Sequence, residues 1–255
     1  MKLLLWKIGA LGDVLMTTPL VRQLRRRMPH ARIDYLVGAS SRVALDRNPH
    51  LDEVIAFDDS ILYRGRIARL GEVLARLKGY DAIYVLDKHW IFGALAWASR
   101  APVRVGFRRR ALEGFGVTHG IRYGPLRHEI AYYLDLAETA GAGVDRADVA
   151  IEFAGESPFE LAHGTTVLVN SGGANAYEVS QVRRMPDPLF GELVKACSDK
   201  GPVAFLGGAS EAAYYERFAL PGCTNLCGRT SISQAASALR QAAGVITTDT
   251  GLMHL

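Results

Sequence analysis

The stretch Lys2-Leu3-Leu4-Leu5-Trp6-Lys7-Ile8-Gly9-Ala10-Leu11-Gly12-Asp13-Val14 decides how the rest of the chain is read. Lys2 to Ile8 is a short apolar run rich in leucine, and Gly9 and Gly12 bound it. Beyond them apolar residues recur at Val14, Val21, Leu24 and Met28 with arginines between, so the order is strand, tight loop, helix. Pro19 falls inside the helical stretch, which predicts that the first turn after Asp13 is set off from the helix body by a kink.

Outward from this unit the alternation continues. Arg32 to Val37 and Glu53 to Phe57 read as strands, the second after the breaker Asn48-Pro49, with a helical stretch from Ser41 between them. Ile67 to Leu77 is amphipathic, Tyr80 to Leu86 is a β-rich run and Trp90 to Ser99 is apolar all round. Val103 to Phe107 is the next strand, and Leu126 to Ala140 the next helix. Strands alternating with helices at this spacing predict a parallel sheet covered on both faces, a doubly wound α/β fold. Gly141 to Gly164 breaks the rhythm, with one short apolar run at Val149 to Phe153, and the domain boundary is placed there. The pattern then restarts, with strands at Thr166 to Val169, Val203 to Leu206 and Val245 to Thr248. Helices are expected at Pro188 to Cys197, Ser210 to Phe218 and Ser231 to Ala242. Two α/β halves facing each other across a linker are expected, residues 1–160 and 161–255. The second stops a few residues past a strand and is expected to be incomplete at its C-terminal end.

Composition narrows the function classes. The chain has 255 residues, 49% of them hydrophobic, enough for a sizeable core. No apolar run approaches the roughly 20 residues of a spanning helix, and no signal segment opens the chain. Three cysteines without paired spacing suit reduced thiols, and a soluble, cytoplasmic protein is expected. Thirty Lys and Arg against 26 Asp and Glu give a net charge of +4, compatible with a phosphorylated or acidic substrate. The basic runs Arg25-Arg26-Arg27 and Arg108-Arg109-Arg110 are not interleaved with stacking aromatics, which sets nucleic acid aside.

Two strand-to-helix transitions carry candidate chemistry. At Gly9-Ala10-Leu11-Gly12-Asp13, glycines permit a sharp turn and close backbone approach, and a helix N-terminus favours an anion. The middle glycine of a dinucleotide fingerprint is missing, and Asp34 falls near the start of the second strand, which argues against hydride transfer. Asp13 is either an N-cap or a general base at the carboxyl end of a strand. In the other half, Thr248-Asp249-Thr250-Gly251-Leu252-Met253-His254 offers backbone amides suited to a diphosphate and a carboxylate suited to sugar hydroxyls; the alternative is again a cap. Glu211, after Gly207-Gly208, either holds a ribose diol or sits in a first helical turn. Acidic residues are scattered and form no metal-binding pair.

Taken together these segments resemble glycosyltransferase family 9, the lipopolysaccharide heptosyltransferases. The resemblance rests on Lys7 to Leu15 with Thr17-Thr18-Pro19, on Asn48-Pro49 leading to Asp52-Glu53-Val54, and on Ala101 to Phe107. In the second half it rests on Leu206-Gly207-Gly208, Asn225 to Ser231 and Asp249 to Leu255. It implies a GT-B architecture of two Rossmann-like domains, the first binding acceptor and the second the nucleotide-sugar donor. It also implies inverting transfer of heptose from ADP-heptose to the lipopolysaccharide core, with no cofactor and no metal. Asp13 falls on the family's catalytic base, beside the acceptor-side loop of Gly9 and Gly12. On the donor side Arg183 takes the place of a diphosphate-binding lysine, Glu211 matches a ribose position and Thr230 one beside the adenine, while Asp249, Thr250, Gly251 and His254 form the closing donor motif. Met185 stands where the family has tryptophan, and Asn170 to Asn175 replaces a Pro-Gly-Ala turn. The arginines at 108–110 are expected to meet an anionic acceptor or the inner-membrane surface. The alternatives are a relative using another nucleotide sugar or glycan acceptor, and a non-catalytic nucleotide-sugar-binding module.

Overall fold

The first strand, β1 (Lys2–Lys7), is buried from Leu3 onward, the burial expected of a central strand covered on both faces. The computed structural model describes residues 1–63, 67–108, 114–124, 126–172 and 180–255, and the chain divides into two units, Met1–Ala154 and Gly155–Leu255. In the first unit β1 is followed by α1 (Leu11–Leu15), α2 (Thr18–Arg27), β2 (Arg32–Gly38), β3 (Glu53–Phe57), α3 (Ser60–Tyr63) and α4 (Leu70–Leu77). Then come β4 (Ala82–Val85), α5 (Trp90–Ala98), β5 (Val103–Arg108), β6 (His119–Arg122) and α6 (Glu129–Thr139). The sheet runs β3-β2-β1-β4-β5-β6 with every pairing parallel. Strand order reverses between β1 and β4, where open α/β sheets leave a crevice for a ligand.

One face of this sheet buries Leu4, Trp6, Ile8, Ile83 and Val85 under Val73 and Leu77 of α4 and Phe92 and Ala96 of α5. Trp6 and Phe92 meet edge to face with ring centroids 4.9 Å apart. On the other side α2 packs against α6. The run Val149 to Phe153, singled out as apolar, forms no strand; α2 side chains satisfy its backbone instead. Arg22 donates to Ala150 O at 2.9 Å and pairs with Asp148 and Glu152, Gln23 donates to Asp145 O and Asp148 O at 2.9 Å each, and Thr18 Oγ1 accepts the Glu152 N–H at 2.9 Å.

The second unit contains β7 (Thr166–Val169), α7 (Asp187–Ser198), β8 (Val203–Phe205), α8 (Ala212–Glu216), β9 (Cys223–Asn225), α9 (Ile232–Gln241) and β10 (Gly244–Thr247). Its sheet, β10-β7-β8-β9, is also wholly parallel. Phe190 is fully buried among Phe205, Tyr214, Tyr215 and Phe218. Phe159 and Leu161 pack on this unit's core, so residues 155–160 belong to it rather than to the first half.

Local departures from the sequence expectation have physical causes. The expected helix from Val14 to Met28 is two helices, the first turn after Asp13 being set off from the helix body as expected, with the break at Met16–Thr17. Thr17 Oγ1 and Thr18 Oγ1 donate to Val14 O at 2.7 Å and Leu15 O at 2.8 Å, taking carbonyls a continuous helix would use, and Pro19 sits in the first turn of α2, where its missing N–H costs nothing. The stretch from Ser41 is a 3-10 turn over Ala39–Leu45. The helix expected from Leu126 starts at Glu129, where the His128 ring accepts the Ile130 N–H. That expected over Ser210 to Phe218 shortens to a 3-10 turn, Ala209–Glu211, and α8. Strands β6 and β9 were unannounced because His119-Gly120-Ile121-Arg122 and Cys223-Thr224-Asn225 carry no apolar run.

The Arg22–Asp148 pair predicts an acid dependence of stability. The Arg22 hydrogen bonds, helped by the charges of Arg22 and Arg26, hold the Asp148 carboxyl below its ordinary value of 3.8 despite the opposing effect of burial. A carboxyl depressed by folding contributes stability that is present above its unfolded pKa and lost as pH falls through its folded one. Asp148→Asn is expected to lose about 2 kcal/mol at neutral pH. In urea unfolding the variant and the parent converge as pH falls below the ordinary carboxyl value of 3.8; parallel curves would contradict the assignment.

Candidate active site

In the first unit the charged groups gather at the β1/β4 switch point. Lys7 is the last residue of β1 and only 5% exposed. Its Nζ lies 2.7 Å from Asp87 Oδ1 and 3.5 Å from Asp13 Oδ2. Asp87 follows β4 directly and also accepts the Ile8 N–H at 2.7 Å, so one carboxylate ties both strands together at their carboxyl ends. Burial by itself would lower the Lys7 pKa; Asp87 above all, with Asp13 and the Tyr133 phenol, outweighs it and holds the ammonium charged well above the ordinary value. Asp13 is not the cap of its helix. Ala10 holds the N-cap position of α1, and Asp13 lies inside the first turn with its side chain 45% exposed. Gly9 fits because a Cβ there would come within 2.9 Å of Ser41 Oγ. Asp34, by contrast, is fully buried on β2 and bonded by Arg32 at 3.0 Å and by the Tyr80 hydroxyl at 2.9 Å, a structural role.

A second site gathers at the β10/β7 switch point. Thr248 Oγ1 accepts the Ser171 N–H at 3.0 Å and donates to Ser171 O at 2.5 Å, joining the segments that follow β7 and β10. Thr250, 6% exposed, holds the N-cap position of the short 3-10 turn Gly251–His254, and its hydroxyl is buried without a hydrogen-bond partner among the described residues. Arg183 Nη1 lies 3.2 Å from Asp249 Oδ2. Glu211 is in a first helical turn, and its carboxylate accepts the Gly208 N–H at 3.0 Å and Arg184 Nη2 at 3.0 Å. Arg184 in turn lies over the Tyr214 ring at 4.6 Å. Thr230 is half-buried in the turn before α9.

Asn170 stands out in the sequence only as the start of a replaced turn, yet its side chain organises this site. Just past β7 and 1% exposed, it donates from Nδ2 to Met185 O at 3.1 Å and to the Tyr214 hydroxyl at 2.8 Å, while its Oδ1 accepts the Met185 N–H at 2.7 Å. This amide clamp fixes the backbone next to Arg183 and Arg184. No periodicity or spacing marks it, because its partners are backbone atoms 15 residues away. Gly173 to Asn175, Arg109 and Arg110 lie outside the described residues. Among the described residues no group of three or more His, Cys, Asp or Glu side chains is placed to hold a metal ion, and no helix is long and apolar enough to cross a membrane.

Two parallel α/β units, each with polar and charged side chains gathered where its strand order reverses, have the Rossmann-like organisation of the GT-B fold. The chain belongs to glycosyltransferase family 9: the family model described as "Glycosyltransferase family 9 (heptosyltransferase)" matches residues 67–255. It is 28% identical over 283 residues to lipopolysaccharide heptosyltransferase 2 of Escherichia coli K12, an alignment covering 100% of this chain and 79% of the relative. Its fold is similar to that of the E. coli heptosyltransferase WaaC solved with ADP-2-deoxy-2-fluoro heptose, with a TM-score of 0.80, 20% identity and coverage of 100% of this chain and 84% of the other. A family 9 glycosyltransferase from Veillonella parvula DSM 2008 matches with a TM-score of 0.76 and 20% identity, covering 99% and 76% of the two chains.

The clamp is directly testable. Asn170→Ala leaves the Met185 peptide without its buried partners, and the Met185 amide is expected to exchange with solvent about tenfold faster, with a stability loss of about 1–3 kcal/mol. An unchanged exchange rate would remove Asn170 from its organising role.

Proposed function

We propose that this chain is an inverting heptosyltransferase that moves heptose from ADP-heptose to a sugar of the lipopolysaccharide core, with Asp13 as general base. The observation that carries the reading is the position of Asp13: inside the first turn of α1, exposed, beside the carboxyl end of β1 at the switch point of the sheet. Its exposed carboxylate accepts the proton of the acceptor hydroxyl as that oxygen attacks the anomeric carbon from the face opposite the diphosphate. Gly9 and Gly12 keep the acceptor-side loop tight around it. Family membership and the E. coli relative named lipopolysaccharide heptosyltransferase 2 support the sugar and the acceptor.

The second unit takes the donor. The Arg183–Asp249 pair has side chains 32% and 61% exposed. So open a pair contributes little to stability, and a diphosphate displaces Asp249 from the guanidinium easily. The unpartnered Thr250 hydroxyl, with Gly251 and His254 behind it, meets the same group. Glu211 keeps lone pairs free for ribose hydroxyls beyond the two bonds it already accepts, and Thr230 borders the base. Calorimetry is expected to show binding of ADP and ADP-heptose and none of UDP or GDP. Asp13→Asn is expected to bind ADP-heptose as the parent does while kcat falls by about 100- to 10,000-fold. Selective UDP or GDP binding would replace heptose with another sugar; undiminished turnover in Asp13→Asn would dismiss the base.

The first unit also carries an exposed aromatic patch, which we propose meets the inner-membrane surface. Trp97 and Phe115 are 56% and 58% exposed and lie with ring centroids 5.6 Å apart. The Arg108 side chain lies against Gly114, next to Phe115 in sequence, and against Gly120. Aromatic rings flanked by arginine suit an anionic lipid headgroup layer. Flotation with vesicles containing anionic phospholipid is expected to carry the protein, and Trp97→Ala with Arg108→Gln to leave it behind. Equal flotation of parent and variant would end the assignment.

A further inference from the structure

A general base beside a buried ammonium faces a conflict. The positive charge keeps the carboxylate ionised, the form a base needs, but a bare ammonium a few ångströms away also drains its basicity. Asp13 sits in that position, 3.5 Å from Lys7 Nζ. The structure resolves the conflict with a second carboxylate. Asp87, 13% exposed, approaches Lys7 more closely than Asp13 does, at 2.7 Å, and is itself anchored by the Ile8 N–H at 2.7 Å.

We propose that Lys7 and Asp87 are positioning residues of the transfer reaction: a buried, mutually neutralised pair at the β1/β4 switch point that orients the Asp13 carboxylate while leaving it basic. The proposal rests on Asp13 being the base. When Asp13 takes up a proton it stops attracting Lys7, and Asp87 still compensates the ammonium, so no bare charge is left buried in the loaded state. The other titratable groups facing this cluster do not substitute for the pair. Tyr35 of β2 and Tyr133 of α6 are phenols held neutral by burial, which raises both well above their ordinary value, and the Tyr35 hydroxyl is 2.8 Å from Thr17 Oγ1. Glu129 of α6 is spent on Lys88 Nζ at 2.8 Å and on the Tyr123 hydroxyl at 2.6 Å.

The test reads kcat separately from donor binding. Asp87→Asn and Lys7→Met are each expected to lower kcat by about tenfold or more while calorimetric binding of ADP-heptose stays at the parent's value, and the charge-balanced double variant Lys7→Met with Asp87→Asn is expected to recover part of the kcat that Asp87→Asn loses. A merely structural pair would give single variants that lose stability in urea with kcat unmoved, or a double variant no more active than Asp87→Asn, and either result overturns the proposal. Should Lys7→Met not fold, the comparison of Asp87→Asn with the double variant decides alone. If Asp13→Asn keeps its turnover, the base assignment fails; if it is inactive and kcat does not take this order, only the Lys7–Asp87 inference fails.

Discussion

Every strand pairing in both sheets is parallel, and that constraint organises the chemistry of the whole chain. A parallel sheet sends all its strands out at one edge, so the segments following neighbouring strands meet there whatever their separation in sequence. Asp87 reaches Lys7 this way across 80 residues, and Ser171 reaches Thr248 across 77. Each meeting falls where the strand order reverses, because there alone two adjacent chains turn away to opposite faces and leave room between them.

The same constraint explains why the groups at these edges are tied so closely to backbone. A crevice between diverging connections exposes peptide groups that no ladder satisfies. Asp87 takes the Ile8 N–H, Asn170 takes both polar groups of Met185, Thr248 bonds both those of Ser171, and Glu211 takes the Gly208 N–H. Each of these side chains closes a loop end and, in doing so, fixes its own position at the site.

This dual use accounts for what the amino-acid sequence discloses. The two-unit α/β organisation is legible because buried parallel strands write themselves as apolar runs such as Leu3-Leu4-Leu5-Trp6, and Asp13, Asp249 and Thr250 are legible because glycines mark their strand-to-helix turns. The break after the first turn is legible from Pro19, but the threonine hydroxyls that bond backward within the chain at Met16–Thr17 are not, since composition does not distinguish them from threonines facing solvent. Asp87, Lys7 and Asn170 were hidden for a related reason: their partners are distant in sequence, or are backbone atoms, and only the sheet order brings them together. Strands β6 and β9 lie at sheet edges, where apolar side chains on both faces are not required, and so carry no run to read.

The two neighbouring arginines of the second unit meet carboxylates of different exposure. Asp249 is 61% exposed, so its attraction to Arg183 is screened by water. Arg184 and Glu211 have side chains 22% and 15% exposed, the guanidinium lies over Tyr214, and Glu211 is pinned by Gly208. Removing either partner there strands a charge in a poorly solvated place, so the pair holds. Arg184 thus keeps the site's geometry, and the Asn170 clamp on Met185 holds the backbone that carries both arginines.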